Sequence, residues 1–138
     1  MTGSNPSSAE PDDVEGRRLI LIVDDEPSVR AMVHASISVR RARYRVLEAG
    51  NAADALAVAW AQQPELILLD VALPDHDGFW VCRSLKNTPT TAHIPVIMLT
   101  AMSLASDRQQ AIDAGADGYI VKPFSPRALL AELDRRLP

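Results

Sequence analysis

The 138-residue chain has one cysteine, few aromatics, few lysines and no long apolar run. The single cysteine, Cys82, excludes an internal disulfide and a cysteine-rich zinc site. The longest aliphatic runs, Leu19 to Val23 and Leu66 to Leu69, fall far short of the roughly 18 apolar residues of a membrane-spanning helix. Residues 1–16 hold no apolar core segment, so no signal peptide is visible and a cytoplasmic location is the expectation. The histidines His34, His76 and His93 share no metal-binding spacing and read as structural or exposed. Lysine is limited to Lys86 and Lys122 among 14 basic residues, which singles out each of them.

What is present suits one globular domain: 47% of residues are hydrophobic and 23% charged. The net charge of −4 comes from Glu10, Asp12, Asp13 and Glu15, which lie in a Ser-, Pro- and Gly-rich stretch over residues 1–16. That stretch reads as a disordered acidic tail. Residues 17–138 are neutral overall and carry no field that would draw in nucleic acid or an anionic membrane.

Beyond Arg18 the pattern alternates. Leu19–Val23 and Leu66–Asp70 are short apolar runs expected of strands buried on both faces; Tyr44–Glu48, Pro95–Leu99 and Gly118–Val121 are the other three strands. Pro27 opens a helix with Val29, Met32, Val33, Ser36 and Ile37 on one stripe. Asn51 caps a second helix, carrying Ala55, Leu56, Ala59 and Trp60 and ending near Pro64. Asp77 caps a third with Phe79, Cys82 and Leu85 inward. A fourth spans about residues 104–114 and stops at Gly115, and Ser125–Pro126 opens a fifth with Leu129, Leu130, Leu133 and Leu137 inward. Five strands each followed by a helix argue an α/β fold, a parallel sheet with helices on both faces. Only one helix fits after Pro123, so a second, output domain is not expected in this chain.

Ligands of doubly wound sheets sit beyond the carboxyl ends of the strands. There the chain places Asp24, Asp25 and Glu26 after the first strand, Asp70 at the third, Thr100 at the fourth, and Lys122–Pro123 after the fifth. Glu48, ending the second, has no evident part. Crowded carboxylates call for a cation, and an all-oxygen set suits a hard ion such as Mg²⁺. Thr100 and Lys122 suit phosphoryl oxygens, and a carboxylate in that setting is a plausible phosphoryl acceptor. These residues alone do not choose among Asp24, Asp25 and Asp70 as the acceptor.

VDDEP (Val23–Pro27), LILLDVALPDHDGF (Leu66–Phe79), PVIMLTA (Pro95–Ala101) and GADGYIVKPF (Gly115–Phe124), in this order and spacing, resemble response-regulator receiver domains of two-component signalling over about residues 19–137. The resemblance implies a flavodoxin-like (βα)5 fold with strand order 2-1-3-4-5 and a receiver over residues 17–138. It implies Asp70 as the phosphoacceptor, served by a histidine kinase or a histidine phosphotransfer protein. It implies Mg²⁺ held by Asp24, Asp25, Asp70 and the backbone carbonyl of Ala72. Thr100 and Lys122 would hold the phosphoryl group, Ala101 would leave its path open, and Thr100 with Tyr119 would form a switch. The Lys122–Pro123 bond is a candidate cis peptide. The function implied is a single-domain receiver, not an enzyme, whose fourth helix, fifth strand and fifth helix meet a downstream protein target. Phosphorylation-dependent dimerisation is compatible with this; direct nucleic-acid or membrane binding is not implied.

Two positions depart from the pattern. Ala72 and Met102, two residues after the acceptor and the Thr, cannot orient a water, which predicts slow self-dephosphorylation. Gly118 replaces an acid that DNA-binding relatives often use in dimer contacts.

Simpler readings stand beside these. The acids could form a solvated rim, Lys122 a surface lysine, and Tyr119 plain packing. Arg40, Arg41, Arg43 and Arg45 neutralise the end of the first helix and blunt an edge strand, or else dock a partner. Trp80 is a candidate partner contact and Cys82 a core residue. A Mg²⁺-dependent phosphatase of the haloacid dehalogenase type also uses Asp, Thr and Lys. It needs an Asp-x-Asp pair after strand one and a later acidic pair, for which only Glu132 and Asp134 are available. A phosphate-insensitive docking module is the third alternative.

Overall fold

The computed structural model describes residues 17–40, 43–101 and 105–137. Its elements alternate along the chain: β1 (Arg18–Val23), α1 (Pro27–Ser38), β2 (Tyr44–Ala49), α2 (Ala52–Gln62), β3 (Leu66–Asp70), α3 (Gly78–Lys86), β4 (Val96–Thr100), α4 (Ala105–Asp113), β5 (Gly118–Val121) and α5 (Pro126–Arg136). The five strands form one parallel sheet in the order β2-β1-β3-β4-β5. This is the architecture and order expected from the sequence.

Strand periodicity divides the core in two. Leu21, Val23, Ile67, Leu69, Val96 and Met98 point to one face, where α2, α3 and α4 cover them with residues such as Leu56, Phe79, Cys82 and Ala111. Their neighbours Ile20, Ile22, Leu66, Leu68, Ile97 and Leu99 point to the other, under Val33 and Ile37 of α1, Leu129 and Leu133 of α5, and Leu137 just past its end. Both faces being covered, β3 and β4 are buried along their whole length, which is why their sequences run apolar without alternation.

The helix signals act as read. Asn51, Asp77 and Ser125 accept from the backbone N–H groups of Asp54, Trp80 and Ala128. Gly115 takes φ +87° just past α4. The Lys122–Pro123 bond is cis. Three readings are corrected. Trp60 is 48% exposed, because α2 lies close to the sheet through Ala52, Ala55 and Ala59 and leaves the indole on the flank of the stripe. β4 begins one residue later than Pro95. Leu130 is only half-buried. The tail at residues 1–16, Arg41, Met102 and Leu104 fall outside the described residues.

Arg40 and Arg43 do something neither reading anticipated. Both pair with Asp134 of α5, while Arg43 donates to the Leu137 carbonyl at 3.1 Å and the Tyr44 hydroxyl donates to Asp134 at 3.1 Å. They therefore fasten the α1–β2 turn to the end of α5. Lys86 answers the question raised by lysine scarcity: its ammonium binds Asp117 at 2.9 Å and the Ile94 carbonyl at 2.7 Å.

Candidate functional site

A parallel sheet brings strand ends together however far apart they lie in the chain. Asp24 follows β1 and continues its ladder, donating its N–H to Ala49 at 3.1 Å. Asp70 and Thr100 are the last residues of the adjacent strands β3 and β4. Lys122 follows β5 and is tied to its neighbour strand by its N–H bond to the Thr100 carbonyl at 2.7 Å. A cleft of about 380 Å³ opens there, lined by Asp25, Asp70, Ala72, Thr100, Ala101 and Lys122 among others.

Oxygens of Asp24, Asp25 and Asp70 lie within 4.8 Å of one another. Asp24 is fully buried and Asp70 is 5% exposed, whereas Asp25 faces solvent. The Lys122 ammonium stands 2.8 Å from Asp24 Oδ2, 3.3 Å from Asp70 Oδ1 and 3.7 Å from Glu26 Oε1. Burial raises the proton affinity of Asp70, the Asp24 charge raises it further, and Lys122 only partly offsets this, so its carboxyl sits above the usual range. Burial pulls the Lys122 ammonium the other way, but its bond to Asp24 and the Asp70 charge prevail and hold it above the usual lysine range.

Two buried carboxylates, a third at the rim, and a single ammonium leave an excess of negative charge. The donors are all oxygen, with no His or Cys among them. Such a set fits a hard divalent cation, and the acidic cluster can hold one.

The buried Asp24 is fixed through both its side chain and its backbone. Its Oδ1 accepts from the Glu26 N–H at 2.9 Å, and its carbonyl accepts from Arg30 Nη1 at 2.6 Å. Arg30 in turn donates from Nε to Glu48 at 2.7 Å. Glu48, without a part in the sequence reading, thus orients the arginine that holds Asp24. Burial opposes ionisation of Glu48, yet the hydrogen bonds of Arg30 and His34 keep its carboxyl below the usual range.

Tyr119 lies on β5, half-buried against the core, with the Arg108 guanidinium 5.4 Å from its ring centre. Trp80 is 36% exposed and its ring stacks on His76, 3.9 Å between centroids, beside the loop that follows Asp70. Cys82 is buried as expected, and burial pushes its thiol up to about 11. Glu132 and Asp134, the acids a phosphatase reading would need, are engaged elsewhere on α5, with Arg135 and Arg136 and with Arg40 and Tyr44.

Sequence reasoning passed over Gly78. A Cβ there would lie 2.1 Å from the Asp70 carbonyl oxygen, and the Gly78 N–H bonds the Val71 carbonyl at 2.6 Å. Only glycine lets the start of α3 cross the backbone at the end of β3 this closely. The Asp-Gly pair before an apolar helix stripe was the available signal. Asp117 was also missed: it receives the Val96 N–H at 2.8 Å and Lys86, closing the end of the sheet opposite the site.

Comparison with known proteins fits this geometry. The model of the response regulator receiver domain matches residues 20–134. The chain is 46% identical over 116 residues to the phosphate regulon transcriptional regulatory protein PhoB of Pseudomonas aeruginosa, covering 84% of this chain and 50% of that protein. It is 44% identical over 114 residues to the DNA-binding dual master transcriptional regulator RpaA of Synechocystis, covering 83% and 46%. The chain thus spans about half the length of these relatives. Among solved structures, the chemotaxis response regulator CheY4 of Vibrio cholerae superposes with a TM-score of 0.81 at 33% identity, covering 88% of this chain and 99% of that one. No helix among the described residues is long and apolar enough to cross a membrane. With the family model covering most of the sequence and the strand-end acids meeting in one cleft, the chain belongs to the response regulator receiver domain family, the signalling modules of two-component systems.

Proposed function

We propose that this chain acts as a phosphorylation-driven receiver switch. Asp70 accepts a phosphoryl group from a histidine kinase or a histidine phosphotransfer protein, and the surface of α4, β5 and α5 changes for a downstream protein. The observation that carries the reading is the convergence of Asp24, Asp25, Asp70 and Lys122, from three separate strand ends, within salt-bridge and metal-sharing distance.

Asp70 is favoured as the acceptor because it ends the central strand β3, lies in the cleft and sits within reach of Lys122. A carboxylate oxygen of Asp70 forms a bond to phosphorus as the P–N bond of a phosphohistidine breaks, and the imidazole keeps the electron pair. Asp25, Asp70 and the Ala72 carbonyl would hold Mg²⁺ directly, and Asp24 mainly through water. When bound, the ion supplies charge neutralisation to the phosphoryl oxygens. Lys122 offers its ammonium to one of those oxygens and the Thr100 hydroxyl donates to another. Movement of Thr100 toward the phosphoryl group vacates space for Tyr119, which lies half-buried on the neighbouring strand. A pre-existing minority conformer is thereby enriched, and a few kcal/mol of differential contact is enough to invert the population. With residues 17–138 neutral overall, the receiver's own surface has no charge excess to draw in nucleic acid or an anionic membrane, which favours a protein as its direct partner.

Mass spectrometry after treatment with acetyl phosphate and Mg²⁺ tests the reading. Wild type gains one phosphoryl group and Asp70→Asn gains none. An adduct on both proteins, or on neither, overturns it.

A further inference from the structure

The seven residues between β3 and α3, Val71 to Asp77, carry the Ala72 carbonyl. The loop's neck is closed by the Gly78 N–H bond to Val71 and by an antiparallel bridge between Ala72 and Asp77. Its tip is held by something else. The first turn of a helix leaves N–H donors without intrahelical partners. In α2, Asn51 satisfies the one at Asp54, at 2.8 Å. The next two, at Ala52 and Ala53, are taken by the carboxylate of Asp75, from 23 and 22 residues away: Oδ1 accepts from Ala52 at 2.8 Å and Oδ2 from Ala53 at 3.0 Å. Asp75 thus spends each carboxylate oxygen on a separate donor of another element, where the helix dipole also favours its charge. Those bonds keep its carboxyl below the usual range, so the clamp stays charged at neutral pH. α2 is a firm anchor, since Ala52, Ala55, Leu56 and Ala59 are packed on the sheet.

We propose that Asp75 is a positioning residue for metal binding: it clamps the tip of the loop bearing Ala72 to the N-terminus of α2 and so holds that carbonyl in place at the cleft. The inference rests on the proposed role of the Ala72 carbonyl as a ligand. Asp75 touches neither the ion nor the phosphoryl group. It acts through the loop, as partners behind metal ligands do.

Calorimetric titration with Mg²⁺ of wild type, D75A, D75N and D54N tests this, with urea stability in EDTA measured alongside. D75A weakens Mg²⁺ binding about tenfold and speeds hydrogen exchange at Ala52 and Ala53. D75N, which keeps one acceptor oxygen, falls between D75A and wild type. D54N removes a charge from the same helix end without touching the loop and binds like wild type. Unchanged Mg²⁺ binding by D75A, even with lowered stability, overturns the proposal, as does an equal loss in D54N, which would mark a diffuse charge effect. If D75A fails to fold, the isosteric D75N decides by the same criteria. Wild type that binds no Mg²⁺ sinks the proposed function together with this inference, whereas wild type that binds and is phosphorylated beside an unaffected D75A sinks this inference alone.

Discussion

Replacing Lys122 with methionine removes an ammonium that faces Asp24 at 2.8 Å and Asp70 at 3.3 Å, and keeps a stem of similar length. At an effective dielectric constant of about 20, those separations correspond to roughly 6 and 5 kcal/mol of Coulomb attraction. Desolvation of the buried groups offsets much of that, and losing one partner of a buried pair costs about 3–5 kcal/mol net. The loss depends on pH in a defined sense. The Asp70 carboxyl in the folded protein already lies above its ordinary 3.8, through burial and then Asp24, with Lys122 opposing. Without Lys122 it rises further. An acid whose folded-state value is raised costs nothing while protonated in both states, and its ionisation destabilises the fold as pH climbs from 3.8 through the folded value. The deficit of Lys122→Met is therefore full near neutrality and shrinks on acidification. Lys122 itself has a raised value, so its charge is present everywhere below 10.5 and adds no slope in this range. Urea unfolding in EDTA, followed by the fluorescence of Trp60 and Trp80, measures the deficit at neutral and mildly acid pH. Adding Asp24→Asn to Lys122→Met recovers much of it. A deficit below about 1 kcal/mol at neutral pH, the scale of an exposed pair, refutes the reasoning, as does one that does not shrink with acid.

Gly78→Ala places a Cβ 2.1 Å from the Asp70 carbonyl oxygen and 2.9 Å from the Val71 Cα, both backbone atoms that cannot swing away. Urea unfolding should show a loss of about 3 kcal/mol; a loss under about 1 kcal/mol would mean the crossing is looser than described. Cys82, with no exposed surface and a thiol pushed up to about 11, should react with an aromatic disulfide reagent only through unfolding. Its modification rate then rises with urea in step with the unfolded fraction. Asp134→Ala frees Arg40 and Arg43 and strands the Tyr44 hydroxyl, costing about 1 kcal/mol at neutral pH. Burial opposes ionisation of Asp134, but the bonds from Arg40 and Tyr44 hold its carboxyl below 3.8, so the difference from wild type is present at neutral pH and fades as acid takes it below 3.8 through the folded value.

Fold and rim were legible because the signals were local. The run Leu66–Asp70 could only be a strand covered on both sides, and its last residue had to stand at the sheet's carboxyl edge. Once the alternation fixed a parallel sheet, the residues ending β1, β3, β4 and β5 shared an edge whatever their spacing. The missed contributions depend on where loops and long side chains come to rest. Nothing near Asp75 in the chain marks Ala52 as its partner, because the bond exists only after α2 and the β3–α3 loop meet. Arg40 and Arg43 read as neutralising the end of the first helix and blunting an edge strand because Asp134, the group they pair with, lies more than 90 residues away. Trp60 shows the converse error: helical spacing put it near the apolar stripe, and the close approach of an alanine face kept it out.

The same charges that cost stability make the rim responsive. Asp24, Asp25, Asp70 and Glu26 against Lys122 leave the rim with an excess of negative charge, held together by the sheet and by the bonds of Arg30 and Glu26 to Asp24. A rim balanced by a second lysine would be more stable and would gain little from a divalent ion. On the proposed function, acyl phosphate formation raises the charge on the Asp70 side chain by about one further unit at neutral pH. Lys122, now bonded more closely to Asp24 than to Asp70, is then drawn toward the phosphoryl oxygens. That exchange of partners is a differential contact between two states, which a surface lysine without competing carboxylates could not provide.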